Sequence, residues 1–245
     1  MKKVIVLLSI IAACSTLTPT AQQVVDEAIK YSGTEVLRNA TASFSFRDIN
    51  YQYQVNGGSF TYTRIQQDSV GNEVKDILNN SGLVRTINGD IVEITDEKSA
   101  AYTSSVNSVI YFAFLPYKLN DAAVNKSYEG QVSINNETYH KIKVTFDQEG
   151  GGEDFEDVFY YWFDSKDYSL DYLAYIYEEE EGTGTRFRVA YNTRIVNGVV
   201  IQDYKNLKPR VKGSVELKNI DQAYQSGDLV ELSLIELEDV VISIQ

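Results

Sequence analysis

Cysteine, histidine and proline are nearly missing from this 245-residue chain, with one, one and three copies. A lone thiol excludes an internal disulfide and any metal site built from several cysteines. The single imidazole, His140, excludes a multi-histidine zinc site. His140 also lies among residues that alternate apolar and polar as in a strand, so a structural histidine is expected rather than a member of a catalytic triad. Walker, GxGxxG, GxSxG and HExxH runs are absent, and no cofactor is implied. Positive charge is scarce too: 22 Lys and Arg face 35 Asp and Glu, a formal net charge of −13. With no basic patch to displace counterions from phosphates, nucleic acid is not an expected partner. An anionic membrane would repel such a surface, so any membrane attachment must come from lipid. What the chain does hold is tyrosine, 18 copies against 10 phenylalanines and one tryptophan. Tyrosine suits strands with one wet face, where the ring packs and the hydroxyl finds a partner.

The only cysteine, Cys14, follows a basic pair, Lys2 and Lys3, and an apolar run over residues 4–13. That run is too short to cross a bilayer as a helix and reads as an export signal. Ile11-Ala12-Ala13-Cys14 resembles the lipobox of bacterial lipoproteins, which implies lipidation of Cys14. The alternatives are an ordinary secretory signal cleaved nearer Ala21, or a retained anchor. The expected organisation is a signal over residues 1–13, a lipidated tether over 14–20 and one domain over 21–245. Loss of Lys2 and Lys3 would leave 20 basic against 35 acidic residues, a net charge of about −15.

Thr20 and Gln23 have capping-box spacing, and Val24, Val25, Ala28 and Ile29 follow at helical spacing up to Gly33. From residue 41 the period becomes two. Phe44/Phe46, Tyr51/Tyr53/Val55 and Phe60/Tyr62 predict an antiparallel meander, with turns at Asp48-Ile49-Asn50 and Asn56-Gly57-Gly58. Asn88-Gly89 predicts a further hairpin between residues 83–87 and 91–94. Residues 99–114 return to a helical period, with Pro116 as the stop. A second meander follows: residues 139–146, 158–163 (apolar on both faces, hence central), 168–177, 186–194 and 199–206, with residues 229–244 closing the sheet. No repeat and no Pro- or Ser-rich linker divides the chain.

Two acidic clusters, Glu149 to Asp157 and Glu178 to Glu181, lack the alternating ligand spacing of an EF-hand and read as solvated hairpin loops, with weak calcium binding as the alternative. Carboxylate pairs suited to hydrolysis are numerous, but none is marked out by its context. The arginines are more pointed. Arg47, Arg64 and Arg85 fall near strand ends in the first meander; Arg186, Arg188 and Arg194 share a strand face in the second. They would pair internally with neighbours such as Asp171 and Asp203, or receive a carboxylate- or phosphate-bearing ligand.

As a set, Phe44-Ser45-Phe46-Arg47-Asp48, the run Val106 to Phe112, Leu115-Pro116-Tyr117 with Leu119 and Asp121, Asp171 to Tyr175, Arg186-Phe187-Arg188 and Asp203-Tyr204 resemble a family of uncharacterised envelope lipoproteins of Bacteroidota. That family is distantly similar to the LolA/LolB lipoprotein carriers. The resemblance spans roughly residues 22–240. It implies a mainly β (α+β) fold: a curved antiparallel half-barrel, with an N-terminal amphipathic helix and a mid-chain apolar helix closing the concave side. Such proteins commonly carry a His-Gly-Gly-like run after the first helix, whereas this chain reads Tyr31-Ser32-Gly33, so a role for a histidine there does not carry over. An aldolase label sometimes met in such families finds no βα alternation here to support it.

The function implied is a non-catalytic envelope lipoprotein held by its lipid; the run Ser15-Thr16-Leu17-Thr18 after Cys14 has no acidic cluster of the kind that resembles a surface-export signal, which favours the periplasmic face of the outer membrane. Its cavity would take a lipid or acyl chain, and an envelope protein is a further possible partner. Within that fold, periodicity nominates Phe44, Phe46, Tyr62, Val109, Phe112, Phe146 and Trp162 for the cavity, and Arg47, Arg64, Arg186 and Arg188 for polar contacts. The competing readings are a glycan- or protein-binding lipoprotein with exposed tyrosines, and a hydrolase with an unmarked carboxylate site.

Overall fold

Thr20 starts the first helix. Its hydroxyl accepts from the Gln23 backbone N–H at 3.2 Å while Gln23 Oε1 accepts from the Thr20 N–H at 2.9 Å, the reciprocal pair its spacing predicts. The structure, a computed structural model, describes residues 18–149, 156–179 and 182–245. The expected signal peptide, Cys14 and most of the tether lie outside the described residues, as do most of the two acidic clusters. Helix α1 (Ala21–Ser32) ends at Gly33, whose left-handed φ of 65° closes the last turn.

The first meander consists of β1 (Asn39–Phe46), β2 (Ile49–Asn56), β3 (Ser59–Gln67), β4 (Glu73–Asn79), β5 (Gly82–Ile87) and the two-residue β6 (Asp90–Ile91). Its first turn sits one residue earlier than predicted. Arg47 and Asp48 take φ of 51° and 60°, and Ile49 pairs across to Phe46. Two consecutive positive φ values match the twist of a two-residue hairpin, so the ladder claims Ile49 as soon as the turn can close. The second arm of the Asn88-Gly89 hairpin is cut short because Thr95 caps a helix, accepting from the Lys98 N–H. That helix, α2 (Asp96–Ala113), begins three residues before the expected start.

The second meander is β7 (Val124–Ile134), β8 (Glu137–Phe146), β9 (Val158–Asp164), β10 (Leu170–Glu179), β11 (Gly182–Val196) and β12 (Val199–Pro209). A short helix, α3 (Ile220–Gln225), which periodicity did not mark, precedes β13 (Leu229–Ile235) and β14 (Glu238–Ile244). The strands form two seven-stranded antiparallel sheets, in the orders β14-β1-β2-β3-β4-β5-β6 and β13-β12-β11-β10-β9-β8-β7. The last two strands therefore part company: residues 236–237 carry the chain from the second sheet to the first. The result is the expected curved half-barrel, open rather than closed.

Three apolar clusters follow from strand alternation. The inner face of the first sheet packs Phe44, Tyr51, Tyr53 and Tyr62 against Val106, Ile110 and Phe114 from α2 and the residue after it. The inner face of the second buries Ile142, Val144, Tyr161, Phe163 and Leu173 against Val24, Val25 and Ala28 of α1. Its outer face carries Trp162, Tyr172 and Phe187, which are covered by Ile220 and Ala223 of α3. Strand β9 is buried on both faces, as its composition predicts.

Candidate functional site

Helix α2 is held to both sheets, and a hollow remains beneath its second half. On the first sheet Arg64 donates to Ser105 Oγ at 2.7 Å, and the Arg85 guanidinium lies 3.4 Å from the Tyr102 ring centroid. On the second, the Tyr111 and Tyr161 hydroxyls meet at 2.7 Å. Burial pushes both phenols up, so they stay protonated and neutral at physiological pH.

The cavity between α2 and the concave face has a volume of about 520 Å³, within the range of small-ligand sites. Helix α2 offers Ser104, Asn107, Ser108, Tyr111 and Phe112, linked by i+3 and i+4 steps, with Val109 beside Phe112 at i−3. Opposite stand the aromatic rings of Phe146, Phe159 and Tyr175, with Phe159 and Tyr175 stacked at 5.3 Å. Tyr204 closes the floor; burial pushes its phenol up to about 12, and its hydroxyl accepts from Gln202 at 2.6 Å. The seam between the sheets supplies Phe46, Ile235 and Leu237. Tyr177 reaches the lining because its ring lies across Gly184, where a Cβ would come within 2.5 Å of Tyr177 Cζ.

Arg186 and Arg188 project into this space from alternate positions of β11. Arg188 is 7% exposed. Its guanidinium lies 3.9 Å from the Phe112 ring centroid and donates to the Tyr175 hydroxyl at 2.8 Å. Arg186 is half-buried, 5.0 Å from the Tyr177 ring centroid.

Of the residues nominated from sequence, the structure brings Phe46, Val109, Phe112, Phe146, Arg186 and Arg188 together at the cavity. The others go elsewhere. Phe44 and Tyr62 lie on the correct face but under α2, packed solid in the first sheet's core. Trp162 lies on the outer face of β9; a strand buried on both sides gives periodicity no means of choosing between them. Arg47 is exposed at the β1–β2 turn, 5.0 Å from the Phe46 ring centroid. Arg64 is used internally, with Arg85: both grip the fully buried Asp76, at 2.7 and 2.6 Å. Arg194 leaves the face of Arg186 and Arg188 because a register shift after Tyr191 breaks the alternation, and it pairs with Asp203 at 3.1 Å. Asp171, the other predicted partner, instead accepts from Tyr139 and Ser169. His140 is buried, stacked on Tyr168 and 3.0 Å from the Tyr128 hydroxyl, and burial lowers its pKa.

The architecture is an open half-barrel with helices over an apolar hollow. The chain belongs to DUF6503, a family of unknown function whose profile matches residues 2–237. No curated protein matches the sequence. Among solved structures, a LolA superfamily protein from Nitrosomonas europaea is similar at 10% identity and a TM-score of 0.49, over 91% of this chain and 94% of that one. A DUF1329 family protein from Desulfovibrio piger is similar at 7% identity and a TM-score of 0.43, over 93% and 95%. A domain assigned to outer membrane lipoprotein sorting, from Vibrio parahaemolyticus, also has 7% identity and a TM-score of 0.43, over 84% and 99%.

Proposed function

We propose that this protein is an envelope lipoprotein that holds an apolar chain, a lipid or acyl tail, in the cavity beneath α2, and performs no chemistry on it. The observation that carries this reading is the hollow itself: about 520 Å³ walled by Val109, Phe112, Phe146, Phe159 and Ile235 between helix and sheet. Each methylene buried there contributes about 0.8 kcal/mol. About ten supply about 8 kcal/mol, the scale of a micromolar dissociation constant before the cost of association is met. In this reading Cys14 carries the lipid, residues 14–20 form the tether, and the domain from residue 21 faces the periplasm from the outer membrane.

The tyrosine-rich surface imagined for glycan or protein recognition has little material to work with. Of the 18 tyrosines only Tyr31 is exposed, at 42%. A hydrolase would need two convergent carboxylates, or His140 beside one; His140 packs against two tyrosines, and the two acids that line the cavity among the described residues, Glu156 and Asp157, are adjacent residues just before β9.

Native mass spectrometry of the full protein, purified without detergent and followed by lipid extraction, tests the reading. The expected result is a co-purified acyl species that is lost in Val109→Trp, a substitution that fills the hollow. A ligand-free mass for the wild type, together with no uptake of added 1-dodecanol or dodecanoate, would sink it.

A further inference from the structure

Arg188 carries a charge that no carboxylate among the described residues pairs with. It is more than nine-tenths buried, and its Nε donor has no hydrogen-bond partner among them. What it has is a ring face, Phe112 at 3.9 Å, and one neutral hydroxyl, Tyr175 at 2.8 Å. The contrast with the other buried cations is sharp. Arg64 and Arg85 share Asp76, and Lys141 holds Asp221 at 2.9 Å. A buried cation left with an open donor is costly, and the cost is removed when an oxyanion takes that donor.

Resting on the binding function proposed above, we propose that the ligand of this cavity is an anionic amphiphile. Its single apolar chain lies against Val109, Phe146 and Phe159, and its terminal oxyanion pairs with Arg188. A guanidinium edge accommodates a carboxylate or a phosphate through two parallel hydrogen bonds. Phe112 and Tyr175 hold the plane of Arg188 in place, so little side-chain freedom is lost when the head arrives. Arg186, two residues along the same strand face and only half-buried, adds a second positive charge that draws the head inward. Glu156 and Asp157 also line the hollow, so its charge is mixed, and the open Nε of Arg188 marks where the oxyanion binds.

Calorimetric titration of the full protein with dodecanoate, dodecyl phosphate and 1-dodecanol tests this, because the three share a tail and differ in the head. The wild type is expected to bind at least one of the anions at least about tenfold more tightly than the alcohol. Whichever anion binds more tightly identifies the head as carboxylate or phosphate. Arg188→Gln should abolish the preference, so that the favoured anion and the alcohol bind the variant with about equal affinity. Equal binding of all three probes by the wild type would overturn the anionic head but leave the apolar cavity standing. Failure of all three to bind would overturn both. The wild-type comparison decides the matter even if Arg188→Gln does not fold.

Discussion

At the scale of single residues, charge placement separates structure from function. Asp76 is fully buried between two arginines on neighbouring strands. Burial alone would raise its carboxyl, but hydrogen bonds and charge from Arg85 and Arg64 outweigh this and hold it below the usual carboxylate range. A depressed carboxyl stabilises the fold above its unfolded value near 3.8, and that contribution is lost as the pH falls through the lower folded value. Asp76→Ala leaves the buried Arg64 and the half-buried Arg85 unpaired and loosens the Arg64–Ser105 link to α2. It should lower the unfolding free energy at neutral pH by about 3–5 kcal/mol in urea titrations, and its stability should fall less steeply than the wild type's in strong acid. A change under about 1 kcal/mol would mean that water already reaches the pair. Sequence reasoning chose Arg64 as a ligand contact because it could not see that Asp76 and Arg85 lie directly across the ladder from one another, beside Arg64. Cross-strand register is a long-range property, and no local pattern around residue 64 encodes it.

At the scale of elements, the local signals were the readable ones. The capping box at Thr20, the stop at Gly33, the hairpins at Asn56 and Asn88, and the double-sided strand from residue 158 all follow from nearest-neighbour chemistry. Gly33 does more than end α1. A Cβ there would come within 2.1 Å of the Gly198 carbonyl oxygen, so the helix end sits directly on the β11–β12 turn. Gly57 has a similar positive φ, 59°, with open space around it. Gly57→Ala should therefore cost only the backbone term, about 1 kcal/mol. Gly33→Ala should cost clearly more, and the difference between the two melting curves isolates the close approach. Equal losses would show that the turn gives way freely. What the sequence did not disclose at this scale were the short helix α3, whose six residues are too few for a period to register, strand β4, whose inward positions include the charged Asp76, and the polar edge strand β7.

At the scale of the molecule, composition and period predict the parts, an amphipathic first helix, two meanders and an apolar mid-chain helix, while the half-barrel that joins them is implied by the resemblance to envelope lipoproteins, which those parts suit. The cavity was only partly legible. Phe46, Val109, Phe112, Phe146, Arg186 and Arg188 meet there, but Tyr111, Phe159, Tyr175 and Tyr204 were not nominated and Trp162 faces away. Alternation tells which residues share a face and not which face is concave, nor where α2 stops filling the space. Trp162 on the outer face is consequently a poor reporter of ligand, and a fluorescence titration at that residue would understate binding.

The central claim, that an apolar chain lies beneath α2, is tested most directly by photo-crosslinking. The full protein is irradiated with a diazirine-bearing fatty acid and the labelled peptides are mapped by mass spectrometry. The account predicts labels on the α2 segment around Val109 and Phe112 and on β9 and β10 around Phe159 and Tyr175, competed away by excess dodecanoate. Labels concentrated instead on the exposed Leu232, Leu234 and Val241 of the last two strands, or none that dodecanoate displaces, would contradict it.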